Sequence, residues 1–177
     1  MNALDSGYNI FDTIRKIGVM IAIIAAFVMM VYITADVIAR NFLPSSMNMV
    51  GTYEFTQAFI VPLVGFPAMP YAYKIGLMPR IVMLTDRLKP GARRAMAIVL
   101  PIIHVCFFIA IAAFSLRYAM QSVADKITVL CGTKELPVYP LYFLPPYAFF
   151  MIAIEDIFVL IKNLKTKGRE SILYAQD

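Results

Sequence analysis

Four long apolar runs dominate this sequence, and each is long enough to cross the hydrocarbon core of a bilayer as a helix. They cover residues 17–39, 50–73, 95–116 and 139–161. A spanning helix needs about 20 mostly apolar residues. The whole chain is 61% hydrophobic and only 15% charged, whereas soluble domains are about 45–50% apolar and about 25% charged. We therefore predict an all-α integral membrane protein, with residues 1–177 forming a single membrane domain of four transmembrane helices.

The basic residues divide unequally between the two ends of these spans. Twelve lie on one side and four on the other. Because loops rich in lysine and arginine stay in the cytoplasm, this division predicts that both termini are cytoplasmic. The net charge of +5 is then a topology signal, and we expect no nucleic-acid partner. The twelve are Arg15, Lys16, Lys74, Arg80, Arg87, Lys89, Arg93, Arg94, Lys162, Lys165, Lys167 and Arg169; the four are Arg40, Arg117, Lys126 and Lys134.

Prolines interrupt two of the spans. The second contains Pro62, Pro67 and Pro70. Since proline removes a backbone hydrogen bond, we expect a kinked helix that packs on a neighbour. The fourth begins among prolines at positions 137, 140, 145 and 146, which predicts irregular first turns. Residues 117–136, between the third and fourth spans, are interpreted as a polar loop.

A short amphipathic segment lies in the basic loop after the second span, at residues 79–88. Ile81, Leu84 and Leu88 would fall on one face of a helix there, with Arg80 and Arg87 along its flank. This pattern predicts an interfacial helix that lies against phospholipid or a partner subunit. An ordinary solvated loop is the alternative.

Polar residues also gather where the first span ends and the second begins. Asp36 and Arg40 are four residues apart and can pair on one helical face. Glu54 and Gln57 are three apart and also share a face. A chain that reverses between the two spans brings both pairs to the same depth, which predicts a structural polar cluster of all four. The alternative is a set of interfacial residues in contact with headgroups and water.

No nucleotide-binding loop, catalytic triad or metal-ligand cluster appears in the sequence, so we predict no enzymatic activity, no cofactor and no metal. Glu155 and Asp156 lie about 10 Å before Lys162 along a helix. They can pair with basic residues that begin other spans on the same side, at positions 15–16 or 93–94. A proton or ion path is the alternative. His104 is interpreted as a hydrogen-bonded helix residue, with a proton carrier as the alternative.

The order of these features resembles the small membrane subunit of tripartite ATP-independent periplasmic (TRAP) transporters. The similarity extends over about residues 15–162. It includes four spans with both ends cytoplasmic, a basic amphipathic segment after the second span and a proline-rich start of the fourth. The matching residues are Asp36, Arg40, Glu54, Gly76, Arg80 and the prolines from Pro137 to Pro145.

This resemblance implies a transport component that catalyses no reaction. Such subunits reside in the bacterial inner membrane and pair with a much larger membrane subunit. That partner carries the substrate and sodium sites and moves them as an elevator, while a periplasmic substrate-binding protein delivers an organic acid. The small subunit would be an accessory scaffold.

Two other functions are alternatives to this one. A four-helix membrane anchor of a quinone-linked redox enzyme would need haem ligands or paired cysteines, and the chain offers one histidine with two separated cysteines. A small self-sufficient carrier would need charged or discontinuous sites near the bilayer midplane, yet most ionisable residues here lie near the ends of the spans.

Overall fold

The computed structural model describes residues 3–42, 51–76 and 90–165. Four of its helical segments are long and apolar enough to cross a membrane, so the predicted all-α fold with four spans is confirmed. They cover Tyr8–Phe42, Thr52–Lys74, Ile98–Ala124 and Tyr139–Ile161. The predicted interfacial helix at 79–88, with Arg80, Ile81, Leu84, Arg87 and Leu88, lies outside the described residues.

The elements follow one another in a simple order. They are α1 (Ala3–Phe42), α2 (Thr52–Phe55), a π-helical turn (Thr56–Ile60), α3 (Val61–Lys74), α4 (Pro90–Ala124), β1 (Thr128–Cys131), β2 (Lys134–Pro137), a 3₁₀ helix (Tyr139–Phe143) and α5 (Leu144–Lys165). We call the end of the bundle with residues 8–18, 73–76 and 154–165 the terminal end. The opposite end, with residues 36–42, 51–57 and 124–139, is the hairpin end.

Helix α1 is buried along one narrow stripe. Its buried positions include Phe11, Arg15, Gly18, Ala22 and Ala25, which recur at the three- and four-residue spacing that keeps one helical face against a neighbour. That face packs against α3 and the π-helical turn. The two backbones approach closely at Gly18, where a Cβ atom would lie 2.7 Å from the carbonyl oxygen of Pro67. Glycine at this position therefore permits the contact.

Helix α5 is the most enclosed span. It packs against both α4 and α3, and Ala148, Ile152 and Ala153 on it are almost completely buried. The small side chains of Ala148 and Ala153 let the neighbouring helices come close. The core of the bundle therefore lies around α5, whereas α1 lies at its edge.

The second span is interrupted near the first of its three prolines, by a π-helical turn that ends two residues before Pro62. The backbone N–H of Val61 donates to the carbonyl of Thr56, five residues earlier. A proline has no N–H and its ring collides with the carbonyl four residues before it, so the wider turn relieves that collision. Pro67 and Pro70 lie inside α3 and are buried. At the fourth span, the predicted irregular start is the 3₁₀ helix.

The prediction of a polar loop over 117–136 is wrong. Helix α4 continues to Ala124, and β1 and β2 then form an antiparallel hairpin in which Val129 pairs with Leu136. Gly132 begins the two-residue turn with a φ of 64°, which suits a hairpin. The strands have only four residues each and carry charges at 134 and 135, so their pattern was too short to recognise.

The hairpin turn rests on the start of the second span. Gly51 precedes α2 with a φ of 92°, and a Cβ atom there would overlap the backbone of Cys131 and Gly132. Only glycine combines this left-handed conformation with so close a contact. The hairpin therefore helps to position α2 and the polar groups beside it.

Candidate functional site: two polar clusters

The hairpin-end cluster contains Asp36, Arg40 and Thr52. Asp36 is buried. One of its carboxylate oxygens accepts a hydrogen bond from the Thr52 hydroxyl at 3.0 Å, and the other accepts one from Arg40 Nε at 2.9 Å. The side chain of Arg40 is 55% exposed, so its outer nitrogens face away from the bundle. Asp36 thus ties the end of α1 to the start of α2.

The structure brings together only part of the four-residue cluster that the sequence predicts. Asp36 and Arg40 pair, whereas Glu54 and Gln57 are both exposed. Neither Glu54 nor Gln57 makes a hydrogen bond or an ion pair within the described ranges 3–42, 51–76 and 90–165. Thr52 was missed because a threonine next to a glycine has no distinctive pattern. It faces Asp36 because of the direction in which α2 begins after Gly51.

The terminal-end cluster is larger and is centred on Arg15. The Arg15 side chain has no exposed surface, and its guanidinium donates to Glu155 at 2.5 Å and to Asp12 at 2.7 Å. The guanidinium carbon lies 4.8 Å from the centre of the Phe11 ring and 5.3 Å from that of Tyr8. These contacts combine charge-assisted hydrogen bonds with cation–π interactions. They join α1 to α5.

Asp12 extends this cluster to the second span. Besides its bond with Arg15, Asp12 accepts a hydrogen bond from Lys74 Nζ at 2.7 Å and forms an ion pair with Lys16 Nζ at 3.0 Å. One carboxylate thereby holds three cations, and Lys74 brings the end of α3 against α1. The pairing of Glu155 with the basic residues at 15–16 is among the sequence interpretations and is seen here. The role of Asp12 in this cluster was not predicted, although its spacing of three and four residues to Arg15 and Lys16 is a recognisable signal.

Asp156 starts a second set of polar contacts beside this cluster. The Tyr73 hydroxyl donates to Asp156 Oδ1 at 2.7 Å, and the same hydroxyl lies 3.3 Å from Nδ1 of His104. The Asp156 side chain has no exposed surface and its Oδ2 lies 3.9 Å from the same ring nitrogen. One residue from each of α3, α4 and α5 therefore meets here. This agrees with the interpretation of His104 as a hydrogen-bonded helix residue.

Together these contacts join neighbouring spans at both ends of the bundle, as expected of a membrane protein with four packed spans. Within the parts of the chain that the structure describes, no three His, Cys, Asp or Glu side chains gather as a metal site would require. The polar side chains with the most contacts bond to one another.

The comparison with known proteins agrees with this class. The chain belongs to the family described as "Tripartite ATP-independent periplasmic transporters, DctQ component", which matches residues 29–166. It is therefore the small permease subunit of a TRAP transporter, a membrane transport component and not an enzyme. This membership does not favour the alternative of a redox anchor.

One curated relative is similar over most of the chain. It is a protein of Halomonas elongata named "Ectoine TRAP transporter small permease protein TeaB", and it is 27% identical over 154 residues. The alignment covers 87% of this chain and 77% of the relative. No solved structure matches.

Proposed function

We propose that this subunit is a rigid scaffold for the large, elevator-type membrane subunit of a sodium-coupled TRAP transporter for organic acids. The large subunit carries the substrate and sodium sites, and a periplasmic binding protein delivers the substrate to the pair. The complex resides in the bacterial inner membrane, with both termini of this chain in the cytoplasm. The resemblance of the sequence and its family membership support these finer points.

The observation that carries the proposal is the placement of polar and apolar groups. The two clusters lie toward opposite ends of the spans and bond internally. Between them α1 exposes large apolar side chains around most of its circumference, among them Ile17, Ile24, Phe27 and Val31. A continuous apolar surface of this length needs lipid or another membrane protein to cover it. It offers no polar route for a charged substrate.

The basic segment after the second span belongs to the same proposal. Arg80 and Arg87 would face the phosphate groups of phospholipids. Ile81, Leu84 and Leu88 would lie against acyl chains or the large subunit. This placement would hold the scaffold at a constant depth while the transport domain moves.

Reconstitution in liposomes tests the proposal. We expect no sodium-driven uptake of organic acid by this chain alone, and uptake when the large subunit and the binding protein are both present. With the large subunit in excess, His104→Ala should still support uptake, because a single imidazole cannot coordinate sodium together with an anionic substrate. Uptake by the isolated chain, or a strict need for His104, would place the transport site in this subunit and refute the scaffold.

A further inference from the structure

The hydrogen bonds between α3, α4 and α5 have a direction. A tyrosine hydroxyl carries one hydrogen, and a carboxylate is a stronger acceptor than a neutral imidazole. Tyr73 lies 2.7 Å from Asp156 and 3.3 Å from His104, so its hydrogen belongs to the bond with Asp156. The Tyr73 oxygen then accepts from Nδ1 of His104, which must carry a hydrogen.

This direction determines whether the other ring nitrogen, Nε2, donates or accepts a hydrogen bond. In the neutral form of the ring, which has one N–H group, Nε2 of His104 is then the acceptor. Within residues 3–42, 51–76 and 90–165, Nε2 has no hydrogen-bond partner, and it is not among the unpaired side-chain atoms that are buried. The His104 side chain is 33% exposed. The bundle therefore presents an oriented acceptor on its surface.

The depth of this acceptor limits what can satisfy it. Asp156, its neighbour across the contact, lies six residues before Lys162, which is about 9 Å along a helix. Ile103 and Phe107, on the same side of α4, are 57% and 58% exposed. An apolar surface of this kind faces hydrocarbon or protein, and lipid tails have no donor to offer. A donor on a neighbouring transmembrane helix would complete the site.

We propose that Nε2 of His104 accepts a hydrogen bond from a transmembrane helix of the large subunit, so that the face of α4 with Ile103, His104 and Phe107 is a subunit contact. The inference rests on the proposed function, because it requires that partner. The donor is a hydroxyl, amide or guanidinium side chain. Tyr73 and Asp156 act as positioning residues that keep Nε2 directed outward as an acceptor.

Two substitutions of His104 distinguish its inner bond, from Nδ1 to Tyr73, from its proposed outer bond, which Nε2 accepts from the large subunit. In His104→Asn the amide nitrogen can replace Nδ1 as the donor to Tyr73, but the outer acceptor is lost. In His104→Gln the carbonyl oxygen can reach the position of Nε2, but the inner donor is lost. Cys106→Ala, at an exposed position on another side of α4, is the control.

The affinity of the two subunits in nanodiscs is the measurement. Interhelical hydrogen bonds in membranes contribute about threefold to about seventeenfold in affinity. We expect His104→Asn to weaken association within that range, while His104→Gln and Cys106→Ala change it by less than about twofold. Equal affinities for the wild type and His104→Asn would overturn the proposal.

The single histidine of the chain allows a second measurement on the wild type, which does not depend on how the variants fold. Labelling histidine with ¹⁵N yields ring signals from His104 alone. We expect the Nδ1–H tautomer in the isolated subunit and a shift of the Nε2 signal when the large subunit binds. A signal that changes with lipid headgroup or water content, but not with the large subunit, would assign Nε2 to lipid or water and overturn the proposal. Failure of the wild-type subunits to associate at all would instead refute the proposed function.

Discussion

At the scale of single residues, Arg15 is surrounded by groups that the interior of a bilayer cannot supply. Its guanidinium has carboxylates on two sides and aromatic rings nearby, from residues of α1 and α5. A buried charge with partners is tolerated because its hydrogen bonds replace those to water, whereas the same charge without its partner is strongly unfavourable. Arg15 therefore makes the position of α5 relative to α1 highly specific.

Removal of the Glu155 carboxylate should accordingly destabilise the subunit. We expect Glu155→Ala to lower the free energy of unfolding by about 3–5 kcal/mol, since Arg15 is left buried without its main partner. Unfolding of the purified subunit in detergent, followed by circular dichroism, measures this change. Lys16→Ala is the control because the Lys16 side chain is 66% exposed, and its loss should cost about 0–1 kcal/mol. A similar, small effect of both substitutions would show that Arg15 is solvated.

Replacing both members of the ion pair is a second test of whether the unpaired charge causes the destabilisation. Arg15→Met together with Glu155→Leu removes both charges and retains apolar volume. Such replacements of buried pairs are often neutral or stabilising, so the double variant should be much more stable than Glu155→Ala alone.

At the scale of helices, close backbone contact determines how α1 lies on the second span. Gly18 of α1 lies against the carbonyl of Pro67. In contrast, Gly65 of α3 has no atom within 4 Å of the position that a Cβ would take. Both glycines lie inside helices, so their intrinsic cost to helix stability is similar and only their surroundings differ.

This pair provides a matched test of helix packing. Gly65→Ala should stabilise the subunit by up to about 1 kcal/mol, because alanine is the better helix former and has space. Gly18→Ala should destabilise it, since the new methyl group forces α1 away from Pro67. The unfolding assay in detergent compares the two. Stabilisation by both substitutions would mean that α1 and α3 do not approach at Gly18.

At the scale of the whole molecule, the sequence predicts that twelve of the sixteen lysines and arginines share one side of the membrane. Arg15, Lys16 and Lys74 lie together at the terminal end, while Arg40, Lys126 and Lys134 lie toward the hairpin end. Nine further lysines and arginines are predicted to lie on the same side as Arg15, Lys16 and Lys74. We therefore propose that the terminal end faces the cytoplasm and that the hairpin faces the periplasm.

Reporter fusions test this orientation. Fusions at Ser46 and Lys134 should show periplasmic activity, and fusions at Lys89 and Lys167 should show cytoplasmic activity, because each pair lies on one side of the predicted spans. A cytoplasmic signal from Ser46 would reverse the proposed orientation.

The sequence by itself determined the membrane class, the four spans and the presence of an interruption in the second span. Each of these follows from local properties, namely the length of an apolar run and the missing N–H of proline. It did not determine which polar groups meet between different helices. Arg15 and Glu155 are 140 positions apart, and their contact depends on the rotation and depth of two helices. Likewise Thr52, and not Glu54, faces Asp36, because Gly51 and the hairpin turn determine how α2 begins. Only the tertiary structure decides such contacts, since sequence periodicity specifies a helical face but not its neighbour.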